Sequence, residues 1–366
     1  VKHLFALTLC GVLLAGCDAG RPAAPSPDFG FVPDQAPPAG FTVMTRNLYI
    51  GADVDAVIAA LASPDPGDDL PALLAALAVL QRTDFPARAA GLADEIARAR
   101  PHAVGLQEVD RLEVDLTPLG LPLVLSQDML PALLAALAAR GLRYAVAGAV
   151  TNIRAAPVPG VSLTDQDVML VDADRVAVAA VTARTFAANL GTVAPGVELV
   201  RGFVMIDATV AGLPVRIATT HLESGSGPGL AALRAAQAQE LVAAVGDATP
   251  AVLLGDFNDT PAAPLHAVIA AAGFRDAWAA LRPGAPGFTC CEAADLSNRV
   301  AALDQRIDYV FARGLGGPAG PLAGRIAIVG DRPGDRVPGP AYPLWPSDHA
   351  GVVLDVLLPP AARPRP

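Results

Sequence analysis

The octapeptide Val252-Leu253-Leu254-Gly255-Asp256-Phe257-Asn258-Asp259 opens as an apolar run of strand formers and closes in acids and an amide. That is the pattern of a buried β-strand that delivers polar groups to a site at its end. Side chains alternate along a strand, so Asp256 and Asn258 share one face while Phe257 takes the other. A carboxylate and a carboxamide at this spacing can orient a water and hold a phosphate oxygen, or share a hard metal ion. In isolation the same octapeptide is equally a strand that ends in an Asx turn.

The pattern recurs. Phe41 to Leu48 alternates as a strand and places Asn47 in line with Phe41, Val43 and Thr45. His102 to Val109 is a second, with Glu108 in register with Val104 and Leu106 and therefore expected at the rim of a sheet, where an ionised carboxylate needs a cation or donors. Val215 to Glu223 puts His221 in line with Val215, Ile217 and Thr219, and Gln305 to Phe311 carries Asp308 inside an aromatic and apolar run. Asp348 and His349 immediately precede the strand 352–358. Further strands are predicted at 144–148, 167–171, 176–186, 200–210 and 325–329.

Helical periodicity falls between them. Residues 84–100 place Phe85, Ala89, Leu92, Ile96 and Ala99 on one face, with Asp84 as N-cap and Pro101 as stop. Helices are also predicted at 70–81, 127–140, 230–245 and 262–272, with a loop at 63–68. The nonamer Leu70 to Ala78 recurs word for word at Leu130 to Ala138, which marks either two equivalent helices or coincidence in a chain rich in Ala and Leu.

The N-terminus reads as a targeting element. Lys2 and His3 precede the apolar run Leu4 to Leu14, too short for a membrane span, and Leu14-Ala15-Gly16-Cys17 follows. It resembles a bacterial lipoprotein signal, which implies removal of residues 1–16 and a lipid on Cys17. Residues 17–40 then form a Pro/Ala-rich tether, 41–358 one domain with an insertion at 52–82, and 359–366 a tail. The expected location is the periplasmic or extracellular face of a membrane. Without Cys10 and Cys17 only the adjacent pair Cys290-Cys291 is left, either as a vicinal disulfide or as two buried thiols. A net charge of -10 works against binding long nucleic acid through counterion release.

Thr45-Arg46-Asn47, Leu106-Gln107-Glu108, Thr220-His221-Leu222, Gly255-Asp256-Phe257-Asn258, Arg306-Ile307-Asp308-Tyr309 and Ser347-Asp348-His349 stand in one order along the chain. As an ordered set they resemble the endonuclease/exonuclease/phosphatase superfamily, whose relatives include deoxyribonucleases, abasic-site endonucleases, sphingomyelinases and inositol-polyphosphate phosphatases. The resemblance implies an α/β (α+β) fold, a four-layer α-β-β-α sandwich of two mostly antiparallel sheets. It also implies phosphodiester hydrolysis by in-line water attack with Mg²⁺, for which Mn²⁺ can substitute. On that basis Glu108 is the principal metal ligand, completed by Asn47 and Asp348, and Asp256 activates the water. Asn258 would bond the developing charge, His349 the scissile phosphate with Asp308 fixing its ring, and His221 another phosphate oxygen or the leaving group.

Two departures narrow the resemblance. Leu48-Tyr49 follows the first Asn where abasic-site endonucleases carry an acid two residues on, and Leu254 and Thr260 replace the Trp and Arg of inositol-phosphatase signatures. The expectation is a monomeric, membrane-tethered phosphodiesterase acting on nucleic acid or on a phospholipid headgroup. The competing expectation is a catalytically silent lipoprotein that uses the same scaffold for binding.

Overall fold

The computed structural model describes residues 40–65, 67–315 and 321–357. The signal-like segment, Cys17, the tether up to residue 39 and the tail 359–366 lie outside the described residues.

The chain begins with β1 (Gly40–Asn47), followed by α1 (Val54–Leu61), α2 (Asp69–Thr83), α3 (Phe85–Ala99) and β2 (Ala103–Gln107). Next come β3 (Arg111–Asp115), β4 (Val124–Asp128), α4 (Met129–Ala138), β5 (Tyr144–Ala155), β6 (Val161–Asp172) and β7 (Val176–Thr185). They lead to β8 (Gly191–Ala194), β9 (Val197–Leu199), β10 (Gly202–Val210), β11 (Leu213–His221), α5 (Pro228–Val245) and β12 (Ala251–Asp256). The remainder is α6 (Pro264–Ala271), β13 (Arg275–Asp276), α7 (Ala277–Leu281), β14 (Asp308–Arg313), β15 (Gly324–Val329) and β16 (Gly351–Leu357).

Two sheets result. One runs β15-β16-β1-β2-β6-β5-β9-β8, with β3 and β4 attached to β6; the other runs β13-β14-β12-β11-β10-β7. Pairing is antiparallel except at β1 with β2 and at β11 with β12. Parallel neighbours need a crossover, and α3 and α5 supply it. Because helices cover one face and the opposing sheet the other, β2 and β12 are buried throughout, which accounts for their near-continuous apolar sequences.

The four layers appear directly in the packing. Phe41, Val43, Met169, Ile217, Val252, Leu254, Val310 and Leu354 meet between the sheets. Leu92, Ile96, Leu133 and Leu137 of α3 and α4 cover the first sheet. Leu241 of α5 and Leu265 and Ile269 of α6 cover the second. The repeated nonamer is helical in both places and buries the same two positions, Leu73 and Leu77 in α2, Leu133 and Leu137 in α4. The first pair packs in the cluster beside β3 and β6, the second under α3.

Three local expectations change. The helix begins at Met129 rather than 127, because Gln127 and Asp128 pair with Leu112 and Arg111 in the β3-β4 ladder. The Asp308 strand begins at Asp308 itself, and Gln305 is taken up instead in a bridge to Cys290. The insertion holds a second helix, α1, whose N-terminus is capped by the Asp53 side chain accepting from the Ala56 N–H at 3.0 Å.

Near the site the sheets come very close. Gly105 of β2 faces Thr219 of β11, and a Cβ built on it would overlap the Thr219 hydroxyl. Beside it Gln107 bridges the layers, accepting from Thr45 Oγ1 at 3.0 Å and donating to Thr219 Oγ1 at 2.9 Å. Gly105→Val should therefore lower the unfolding free energy by about 1–3 kcal/mol, read from the urea midpoint at constant m-value. A wild-type midpoint would show that the sheets are not in contact there.

Candidate active site

Asn47, His221, Asp256 and Asp308 reach one rim of the sandwich for a common reason. Each is in line with residues of the inter-sheet core: Asn47 with Val43, His221 with Ile217, Asp256 with Leu254, Asp308 with Val310. Glu108 arrives differently. Val104 and Leu106 face the helix layer, so simple alternation would send Glu108 outward. A left-handed residue, φ 52°, breaks the strand at Glu108 and turns its carboxylate back to the rim. Asn258 has the same φ of 52°. Gly255 is required where it stands: its φ is +148°, and a Cβ would overlap the carbonyl oxygen of Thr220 on the neighbouring strand.

The eight residues singled out in the sequence form one continuous set of contacts. Asn47 Nδ2 donates to Glu108 Oε1 at 2.8 Å and to Asp256 Oδ2 at 3.3 Å, while its Oδ1 accepts from the Tyr49 N–H at 2.9 Å. His349 Nδ1 lies 2.8 Å from Asp308 Oδ2 and 3.8 Å from Asp256 Oδ2, and its Nε2 is 4.0 Å from Asp348. His221 Nε2 is 3.6 Å from Asp256 Oδ2 and 2.9 Å from Asn258 Nδ2. Asn258 Nδ2 also donates to Leu222 O at 3.0 Å, which fixes the amide orientation and makes His221 Nε2 an acceptor. Both amide hydrogens of Asn258 are thus engaged by the protein, so in this arrangement it positions His221 rather than reaching toward a phosphoryl oxygen.

Burial and crowding set the protonation pattern. Desolvation, and then the Asp308 carboxylate, push Asp256 up to about 7 against the pull of His349. Desolvation pushes Asp348 to about 7 as well. Burial alone would depress His349, but the carboxylates of Asp308 and Asp348 override it and hold the imidazole well above its ordinary value. Burial, with Arg201 and His349 nearby, keeps His221 neutral.

Several residues of the site escaped the sequence reading. Asp110, Asp165 and Asp167 are buried behind Glu108, and desolvation raises all three carboxyls, Asp165 to about 7. The signal for two of them is available: Asp165 and Asp167 fall in line with Leu163 and Met169, the device that marks Asp256 and Asn258. Arg201, buried just before β10, pairs with Glu223 Oε1 at 3.3 Å. No motif marks it, because an arginine just ahead of a strand carries no pattern of its own and meets Glu223 only once β10 and β11 pair. Cys290 and Cys291 are bonded to each other, and only Cys290 is buried, so the reading as two buried thiols does not hold. Both line a cleft of about 540 Å³ together with Glu108, Asp256, His349 and Asp348.

The donor set suits a hard divalent cation. Oxygen ligands dominate, and Asp165 Oδ1 and Asp110 Oδ2, which line the same cleft as Glu108 and Asp348, are buried without a hydrogen-bond partner. Residues 79–349, well over half of the chain, match the endonuclease/exonuclease/phosphatase family. The chain belongs to that family. A family protein from Beutenbergia cavernae DSM 12333 superposes with a TM-score of 0.55 at 23% identity, covering 89% of this chain and 74% of the other. A D. rerio TDP2 humanized by 14 mutations gives 0.51 at 16% identity over 86% and 98%. The human Nocturnin catalytic domain with bound sulfate gives 0.50 at 15% over 87% and 93%. At these identities the likeness is one of fold. No curated protein matches the chain.

In this family member the His349-Asp308 pair makes a direct prediction. In metal-free protein the His349 ring should titrate above 6.5 by NMR, and Asp308→Asn should bring it down toward or below that value. An unchanged titration would separate the two residues electrostatically.

Proposed function

We propose that this protein is a divalent-cation-dependent phosphodiesterase, tethered to a membrane through Cys17 and acting as a monomer on a substrate at the cell envelope. The observation that carries the reading is the contact of Asp256 with both His349 and Asn47, at 3.8 and 3.3 Å, which joins the Glu108 carboxylate to the His349-Asp308 pair at one cleft.

Glu108 and Asp348 would hold the ion, Mg²⁺ with Mn²⁺ as a substitute, and Asn47 would join them once its amide turns its oxygen away from the Tyr49 N–H. When bound there, the ion would supply positive charge to phosphoryl oxygens. Asp256, held by the Asn258 N–H at 2.9 Å and by Asn47, accepts a proton from the attacking water. His349 stays positively charged because Asp308 binds Nδ1, so Nε2 is free to donate to a phosphoryl oxygen as negative charge builds on it. His221, neutral and fixed by Asn258, bounds the far side of the same carboxylate.

Asp256→Ala and His349→Ala should each lower kcat by about 10²–10⁴-fold on a chromogenic phosphodiester with Mg²⁺, with little change in the circular-dichroism spectrum. Near-normal turnover in either variant would remove its assigned role. Among the described residues no helix is long and apolar enough to cross a membrane. On this reading membrane association depends on the lipid, and Cys17→Ser should move the expressed protein from the membrane to the soluble fraction. Continued sedimentation with membranes would defeat the tether.

A further inference from the structure

The insertion between β1 and α3 has no part in the chemistry above, yet it stands beside the cleft. In α1 the large apolar residues Val54, Val57, Ile58 and Leu61 occupy positions i, i+3, i+4 and i+7, a single stripe of the helix. A stripe like this is normally buried in a core. Here Ala60 is the only residue of α1 that is fully buried, and the four stripe residues are half-buried. They roof a cavity of about 70 Å³ whose floor comes from Leu77 of α2 and from β3, β5, β6 and β9. All the residues around it are Ala, Val, Leu, Ile or Pro.

This cavity adjoins the catalytic cleft. Ile50, Ala52, Val54, Ile153 and Leu163 line both. The cleft carries Glu108, Asp256 and His349, and the adjoining cavity offers no polar group. An apolar cavity of this kind stays dry and takes apolar ligands; about 150 Å³ admits a benzene ring, so half that volume suits a short run of methylenes. A nucleobase would leave its N–H and C=O groups unpaired there, at a cost of several kcal/mol. A net charge of -10 adds a further penalty for a polyanionic strand.

We propose that the insertion 52–82 builds an aliphatic-chain subsite and that the substrate is an amphiphilic phosphodiester. The hydrocarbon would begin within a few atoms of the scissile phosphate and enter between α1, α2 and the β5-β6 pair. The assignment rests on the phosphodiesterase reading and names the substrate class that goes with it.

The test uses the full chain with Mg²⁺ and a series of 4-nitrophenyl alkyl phosphodiesters, methyl, ethyl, propyl and hexyl, beside the 4-nitrophenyl ester of thymidine 5′-phosphate. From methyl to propyl, kcat/KM should rise about fourfold per methylene and then level off, with the nucleotide ester below propyl. Val57→Trp and Ala76→Phe, which fill the cavity from α1 and α2, should bring the propyl-to-methyl ratio toward one. Should either variant fold poorly, the wild-type series decides alone. Turnover of the methyl ester with no dependence on chain length, or a preference for the nucleotide ester, would overturn the subsite and leave the phosphodiesterase standing. Hydrolysis of none of the esters would overturn both.

Discussion

Two guanidinium groups without access to solvent, Arg46 and Arg88, hold the rim of this sandwich in place. Arg46 grips Glu95 of α3 at 2.8 and 3.1 Å and donates through Nη1 to the carbonyl of His349. Arg88, also on α3, donates to Thr83, Leu48, Tyr49 and Pro346 carbonyls at 2.7–3.1 Å. Burial lowers its pKa to about 10, still far above neutrality, so it remains charged. Burying a charge costs several kcal/mol unless its hydrogen bonds are complete. Here nearly every donor is used, and apart from Glu95 and Thr83 the partners belong to the two segments that carry Asn47, Asp348 and His349. The outer helix α3 thereby sets the position of residues nearly three hundred apart in sequence.

With those segments fixed, carboxylates accumulate at one place. Glu108, Asp110, Asp165, Asp256, Asp308 and Asp348 all lie at the same end of the sandwich, while Arg201 and His349 supply the nearby positive charge. Desolvation pushes Asp165, Asp256 and Asp348 to about 7, the response of acids that lack a sufficient counter-charge. A cation would relieve that repulsion and would let a phosphate bind among acids, so on the proposed reading charge frustration in the protein and affinity for an ion are two sides of one arrangement.

How far the sequence foretold this varies residue by residue. Asn47, His221, Asp256 and Asp308 were legible because a period of two carries a polar side chain into line with core neighbours. Glu108 was placed at the correct rim by a rule that fails locally, since its left-handed φ is invisible to periodicity. Gln107 could not be found from the chain alone, because its partner Thr219 is brought near only by the packing of one sheet on the other, and Arg201 carries no motif although Glu223 lies just across the β10-β11 hairpin. Helix α1 is hard to read because its eight residues span barely two turns, too few for a helical period to stand out from a loop. The four layers themselves followed from the ordered set of motifs rather than from the pattern of strands and helices.

The sheets also repeat one scheme. In each, a parallel pair joined by a helix is flanked by antiparallel neighbours, β16-β1-β2-β6 on one side and β10-β11-β12-β14 on the other. A left-handed residue follows the second strand of each pair, Glu108 and Asn258. The centre is accordingly a seam: one half brings Glu108, the other Asp256, so on the proposed roles the ion ligand and the base would come from different halves. Neither half is competent by itself, so the chemistry is a property of docking, and any fluctuation that slides one layer past its mate by a single residue disperses the whole constellation while every strand remains paired.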